Sequence, residues 1–192
     1  MTETRRYNLA LIPINKEFAQ CCVTLARRNY ATSADGYLLH SESALPHVTL
    51  CQFEIRRVPS RQFFIDAIKQ LGWREVSLHF EMIYFLRGTE EHYGRTWIGL
   101  GVVRDIGFLG CQARLVKWIS RKANCEPLTS SRDAYFPHLT LARTILKKSG
   151  QRAPSIDPAF WTRSHRFTPA LGLSNENGVL SDVMHSYQSA ME

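Results

Sequence analysis

Two short stretches carry side chains able to do acid–base chemistry together: His47-Val48-Thr49-Leu50 and His138-Leu139-Thr140-Leu141. Each follows a proline, Pro46 or Pro137, and each alternates polar with apolar residues. That alternation is the pattern of a half-buried strand, in which residues i and i+2 share a face. His47 and Thr49 therefore project together, as do His138 and Thr140, while Val48, Leu50, Leu139 and Leu141 turn into a core. The copies lie about half the chain apart, so two similar halves would each present one imidazole and one hydroxyl. Two imidazoles of ordinary pKa, about 6.5, can keep one member protonated and one neutral near neutrality. One can then remove a proton from an attacking oxygen while the other protonates a leaving oxygen. The threonine hydroxyls can donate to the non-bridging oxygens of a phosphate, where transition-state charge gathers. Such a set suits displacement at phosphorus and demands no metal.

The elements that must position these groups are legible from local pattern. A strand is expected over Tyr7–Ile14, then a helix capped by Asn15 with Phe18, Cys21, Cys22, Leu25 and Ala26 on its buried stripe. Ala34-Asp35-Gly36 is a turn, and Tyr37–Leu39 a short strand or loop. The first motif strand should run from His47 to about Arg57. Ser60 can cap a second helix, with Phe63, Phe64, Ala67, Ile68 and Leu71 buried and Gly72 ending it. Val76–Leu86 alternates as one strand, with Val76, Leu78, Phe80, Met82, Tyr84 and Leu86 on one face, and Arg87–Gly94 is a polar turn. Arg95–Val103 should place Thr96, Ile98, Leu100 and Val102 inward and Arg95, Trp97, Gly99 and Gly101 opposite. A third helix is expected over Gly107–Ala123. The second motif strand should run from His138 to about Leu146, before a basic turn, Lys147-Lys148-Ser149-Gly150. A short helix from Asp157 precedes two strands, Phe167–Leu173 and Val179–Tyr187. Asn175-Glu176-Asn177-Gly178 joins them as a hairpin, because Asn-Gly accepts positive φ.

Composition narrows the class. Apolar residues make up 44% of the 192 and charged residues 21%, enough to bury a core and unlike a disordered chain. No linker-like segment divides the sequence, so residues 1–192 are expected to form a single two-lobed domain. The net charge of +7 favours a polyanionic partner such as RNA, a nucleotide phosphate or an anionic membrane surface. Five cysteines, an odd number without a C-x-x-C pair, do not suit a secreted disulfide framework; a reduced, cytoplasmic setting is expected. No stretch approaches the ~18 apolar residues of a membrane span, so no membrane partner is expected.

The paired H-x-T-x tetrapeptides, each flanked by apolar residues in a strand-like context, resemble the two-histidine phosphoesterase superfamily. That superfamily includes cyclic phosphodiesterases and the 2′-5′ RNA ligase-like proteins. The resemblance implies an α+β fold of bilobal, pseudo-twofold architecture, with two antiparallel sheets lining a central groove and helices outside. It implies a hydrolase that uses neither metal nor cofactor. Its substrates would be RNA 2′,3′-cyclic phosphate ends, cyclic nucleotides or 2′-5′-linked oligonucleotides. Carried onto this chain, the motif makes His47 and His138 the catalytic acid and base, and Thr49 and Thr140 the phosphate ligands. Near-symmetry leaves open which histidine is the acid.

Other residues invite weaker assignments. Trp97 can stack on a nucleobase or fill the interface between the halves. Tyr135 and Phe136 can line the groove mouth, with Tyr135 a second nucleobase contact, or tuck against the sheet. Arg95 can meet a phosphate or remain a solvated strand-end charge. His79 and Glu81 share a face, but spacing supplies no third ligand for a metal. The alternative function is a non-catalytic nucleotide- or RNA-binding module using the same groove.

Overall fold

The computed structural model describes residues 4–88, 93–129, 134–145 and 153–187. In chain order the elements are β1 (Arg5–Pro13), α1 (Lys16–Tyr30), β2 (Ala34–Leu38), β3 (Val48–Ile55), α2 (Arg61–Leu71), β4 (Val76–Leu78) and β5 (Phe80–Arg87). There follow β6 (Arg95–Val102), α3 (Ile106–Ile119), β7 (Cys125–Pro127), β8 (His138–Ile145), α4 (Pro158–Thr162), β9 (His165–Ser174) and β10 (Leu180–Ser186). The fold is mixed α+β. Leu146 and the expected basic turn Lys147–Gly150 lie outside the described residues.

The ten strands among the described residues form one open sheet, ordered β10-β9-β1-β3-β8-β6-β5 along its main path, with β2 on β8, β4 on β9 and β7 on β3. All strand pairs among the described residues are antiparallel. Two separate sheets were expected; instead one sheet has a thin seam. The motif strands β3 and β8 meet there through one register pair, Val48 with Leu139. Away from the seam each motif strand pairs at length with an inner neighbour, β3 with β1 and β8 with β6.

Helix starts follow side-chain chemistry. The Asn15 carboxamide oxygen accepts from the backbone N–H groups of Glu17 (2.7 Å) and Phe18 (3.1 Å), and the Ser60 hydroxyl oxygen from that of Phe63 (3.2 Å). Gly72 ends α2 at φ 79°, a conformation that costs glycine little. The third helix starts one residue earlier than the expected Gly107 because Asp105 caps it, accepting from the Phe108 N–H (2.9 Å). It also ends at Ile119, short of Ala123. On α1 the buried face includes Cys22, Val23 and Tyr30, whereas Cys21 is exposed.

The alternating run from Val76 to Leu86 is not one strand. Residues 76–78 pair with β9, and residues 80–87 pair with β6. A register shift between Phe80 and Met82 then turns the face. Leu78 and Phe80 are buried in the core, whereas Met82 and Leu86 are exposed. Strand β7 has no strong alternation for local pattern to reveal; its pairing with Phe53–Ile55 of β3 defines it. A continuous apolar core joins Leu9, Phe53 and Phe167 to Ile98, Leu100 and Leu139, so both parts of the sheet share one interior.

Candidate active site

The two motif strands contain the same irregularity at the same offset. On β3, Ala10 faces Thr49 and Leu9 faces Cys51, so Leu50 is an extra residue. On β8, Gly99 faces Thr140 and Ile98 faces Ala142, so Leu141 is extra. A bulge leaves one residue outside the ladder and turns the strand. Here both extra residues are buried, and their carbonyls find partners elsewhere. The Gln112 side chain donates to Leu50 O (3.0 Å), and the Leu39 N–H donates to Leu141 O (2.9 Å). Each bulge also shifts the following alternation by one position. Gln52, three residues beyond Thr49, therefore returns to the wall of the cavity that holds His47.

That cavity, of about 400 Å³, is lined by His47, Thr49, His138 and Thr140 together. Both histidines are anchored alike. Nδ1 of His47 lies 2.7 Å from Leu45 O, and Nδ1 of His138 lies 2.6 Å from Phe136 O. A carbonyl can only accept, so Nδ1 carries the hydrogen in each ring and Nε2 is the nitrogen left for chemistry. The surroundings of Nε2 differ on one point: that of His47 lies 3.1 Å from Gly178 O, in the β9–β10 turn.

Burial pushes the His47 pKa down to about 4; the Leu45 carbonyl opposes this, the charge of His138 adds to it, and the Gly178 carbonyl opposes it. Burial also lowers the pKa of His138, against the Phe136 carbonyl. The His138 ring stacks on Phe136 at 5.6 Å and meets the edge of Tyr84 at 5.0 Å.

The other sequence candidates fall in different surroundings. Trp97 lines the cavity, half-buried, with its ring edge-on to Tyr37 and the Arg143 guanidinium 5.2 Å from its centroid. Tyr135 borders the same cavity but is only 5% exposed and belongs to the core cluster. Its hydroxyl donates to Thr49 O (2.6 Å), tethering the segment before β8 to β3. Arg95 pairs with Asp35 at 2.5 Å. Among the described residues no three His, Cys, Asp or Glu side chains gather as a metal site would need, and no helix is long and apolar enough to cross a membrane.

Sequence pattern missed Tyr84, Asn8 and Gly178. The alternation of residues 76–86 puts Tyr84 on a core-facing stripe, yet its hydroxyl lies 3.1 Å from Thr140 Oγ1. Asn8 interrupts the apolar run 7–13 of β1, and its amide donates to Thr49 Oγ1 (2.9 Å). A polar residue at a buried position of an aliphatic strand was the available signal. For Gly178 only the turn itself was legible. No protein-family model and no curated protein matches this chain.

Proposed function

We propose that this chain is a two-histidine phosphoesterase, a metal-independent phosphodiesterase acting on RNA 2′,3′-cyclic phosphate ends, cyclic nucleotides or 2′-5′-linked oligonucleotides. One observation carries the proposal: both imidazoles and both threonine hydroxyls line one cavity, each imidazole anchored through Nδ1. The matching bulges and pairings also support a bilobal, pseudo-twofold reading of the sheet. In that reading β3 corresponds to β8, β1 to β6 and β7 to β2.

For a 2′,3′-cyclic phosphate, one Nε2 takes a proton from water as its oxygen bonds to phosphorus. The bond from phosphorus to one ribose oxygen breaks, and the other imidazolium protonates that oxygen. For a 2′-5′ linkage the adjacent 3′-hydroxyl replaces water, and the 5′-oxygen leaves. The threonine hydroxyls donate to the non-bridging oxygens. Trp97 offers a ring for the nucleobase, whereas Tyr135, nearly covered, supplies wall rather than a stacking face. The five free cysteines suit a reducing, cytoplasmic setting.

A second reading is a non-catalytic nucleotide-binding module. It is favoured by the Gly178 carbonyl, which already occupies the nitrogen of His47 that the chemistry needs. A substrate panel separates the two: 2′,3′-cyclic mononucleotides, cyclic-phosphate-ended RNA and 2′-5′ oligoadenylate, with wild type, His47→Ala and His138→Ala. The enzyme reading expects turnover in wild type, unaffected by EDTA, and a loss of at least ~100-fold in each variant with the fold intact. Tight binding without turnover across the panel would establish the module instead.

A further inference from the structure

We infer that Asn8 and Tyr84 are positioning residues that aim the hydroxyl hydrogens of Thr49 and Thr140 into the groove. The inference rests on the phosphoesterase reading, because a phosphate oxygen would receive those hydrogens. A threonine hydroxyl has one hydrogen and two lone pairs and rotates to suit its neighbours. A phosphate oxygen can use only the hydrogen. A fixed donor on Oγ1 occupies a lone pair and turns the hydrogen elsewhere.

Asn8 supplies that donor on β1, with its Nδ2 2.9 Å from Thr49 Oγ1. Its side chain is fully buried, and its Oδ1 has no hydrogen-bond partner among the described residues. Burying an amide oxygen without a partner is destabilising. Packing alone would favour a leucine there. Donation to Thr49 Oγ1 uses one of the two Nδ2 hydrogens, whereas turning the amide over would set an oxygen against that hydroxyl and draw its hydrogen away from the groove.

The other half solves the same problem with a different residue from a different strand. The Tyr84 hydroxyl, on β5, lies 3.1 Å from Thr140 Oγ1. The phenol carries its proton at neutral pH and so can donate to that oxygen. Its ring is held edge-on against His138 (5.0 Å) and Phe136 (5.4 Å). Gly99 makes room for it: a Cβ at that position would lie 2.6 Å from Tyr84 Cε1 and 2.7 Å from its hydroxyl oxygen. The two non-bridging oxygens would thus be addressed by separate devices, an amide for one and a phenol for the other.

That separation defines the experiment. Sulfur accepts hydrogen bonds poorly, so the Rp and Sp 2′,3′-cyclic phosphorothioates of adenosine each weaken one threonine contact. Wild type should be slowed by both isomers. Tyr84→Phe and Asn8→Leu should each lower kcat on the oxygen substrate roughly tenfold with little change in KM. Each should also erase the slowing for one isomer, and the two variants should erase it for opposite isomers. Wild-type kcat in the variants overturns the inference, and so does a loss equal for the oxygen substrate and both sulfur isomers. If Asn8→Leu fails to fold, Tyr84→Phe, which deletes one atom, carries the test alone. Turnover that requires both histidines, with sulfur effects unchanged in Tyr84→Phe, keeps the phosphoesterase reading and removes this inference. No turnover in wild type on any member of the substrate panel removes both.

Discussion

His47 has two carbonyls facing its nitrogens, an arrangement that suits a cation, inside a pocket whose burial resists one. The balance lies with burial, and the consequence for stability has a definite sign. The folded-state pKa, about 4, is below the ordinary 6.5, so at intermediate pH the unfolded chain binds the extra proton. Stability linked to this residue is therefore complete above about pH 6.5 and lost as pH falls toward about 4. His138 acts in the same direction. The thermal midpoint of wild type should fall over that window, and His47→Asn should flatten the fall, as calorimetry across pH would show. The same depression bears on catalysis. If turnover is found, kcat/KM, which reports the free enzyme, should peak below about pH 6.5. The kcat profile should lie at higher pH, because a bound phosphate anion stabilises the imidazolium.

At the scale of elements, the paired bulges decide which side chains reach the cavity. Their cost is an unpaired backbone carbonyl in each motif strand, and the fold provides a donor for both. Gln112, fully buried on α3, is the donor for Leu50 O. Gln112→Leu should remove roughly 1–3 kcal/mol, read as a lower denaturation midpoint. Gly99→Ala tests the neighbouring strand. Its Cβ would press on the Leu139 carbonyl and on Tyr84 together, and backbone cannot yield as a flexible side chain can. It should cost about 1–3 kcal/mol by overpacking and shift the tyrosine near-ultraviolet signal. Gly110→Ala, inside α3 where a Cβ meets nothing within 4 Å, should leave the tyrosine signal near wild type and raise stability by about 0.5–1 kcal/mol.

For the whole molecule, the narrow seam between β3 and β8 throws weight onto side-chain ties across the groove. Arg143 is one of these. Its guanidinium donates to Asp35 O (2.7 Å) and to the Asn177 side chain, and lies over Trp97. It therefore links β8 and β2 to the β9–β10 turn, which also carries the Gly178 carbonyl seated on His47. Arg143→Met should release that turn at a cost of about 2 kcal/mol. Hydrogen exchange at Asn177 and Gly178 should then accelerate, while the α1 amides remain protected until global unfolding. Unchanged exchange at the turn would show that the tie contributes little to holding it.

The sequence by itself determined what depends on near neighbours. The H-x-T-x alternation, the Asn15 and Ser60 caps, the Gly72 stop, the Asn175–Gly178 turn and the inward stripe of β6 all follow from period, capping chemistry or backbone freedom within a few residues. Thr96, Ile98, Leu100 and Val102 are buried as their spacing requires. Tertiary structure decided what depends on which strands meet. A one-residue bulge leaves no mark in the alternation before it, yet it brings Gln52 back to the cavity wall. The run from Val76 to Leu86 looks uniform, yet it divides between two partners and turns its face, which carries Tyr84 from a supposed core stripe to Thr140. Period reports the alternation of side chains along one strand. It carries no information on register with another strand, and register brought His47, Thr49, His138 and Thr140 to one cavity.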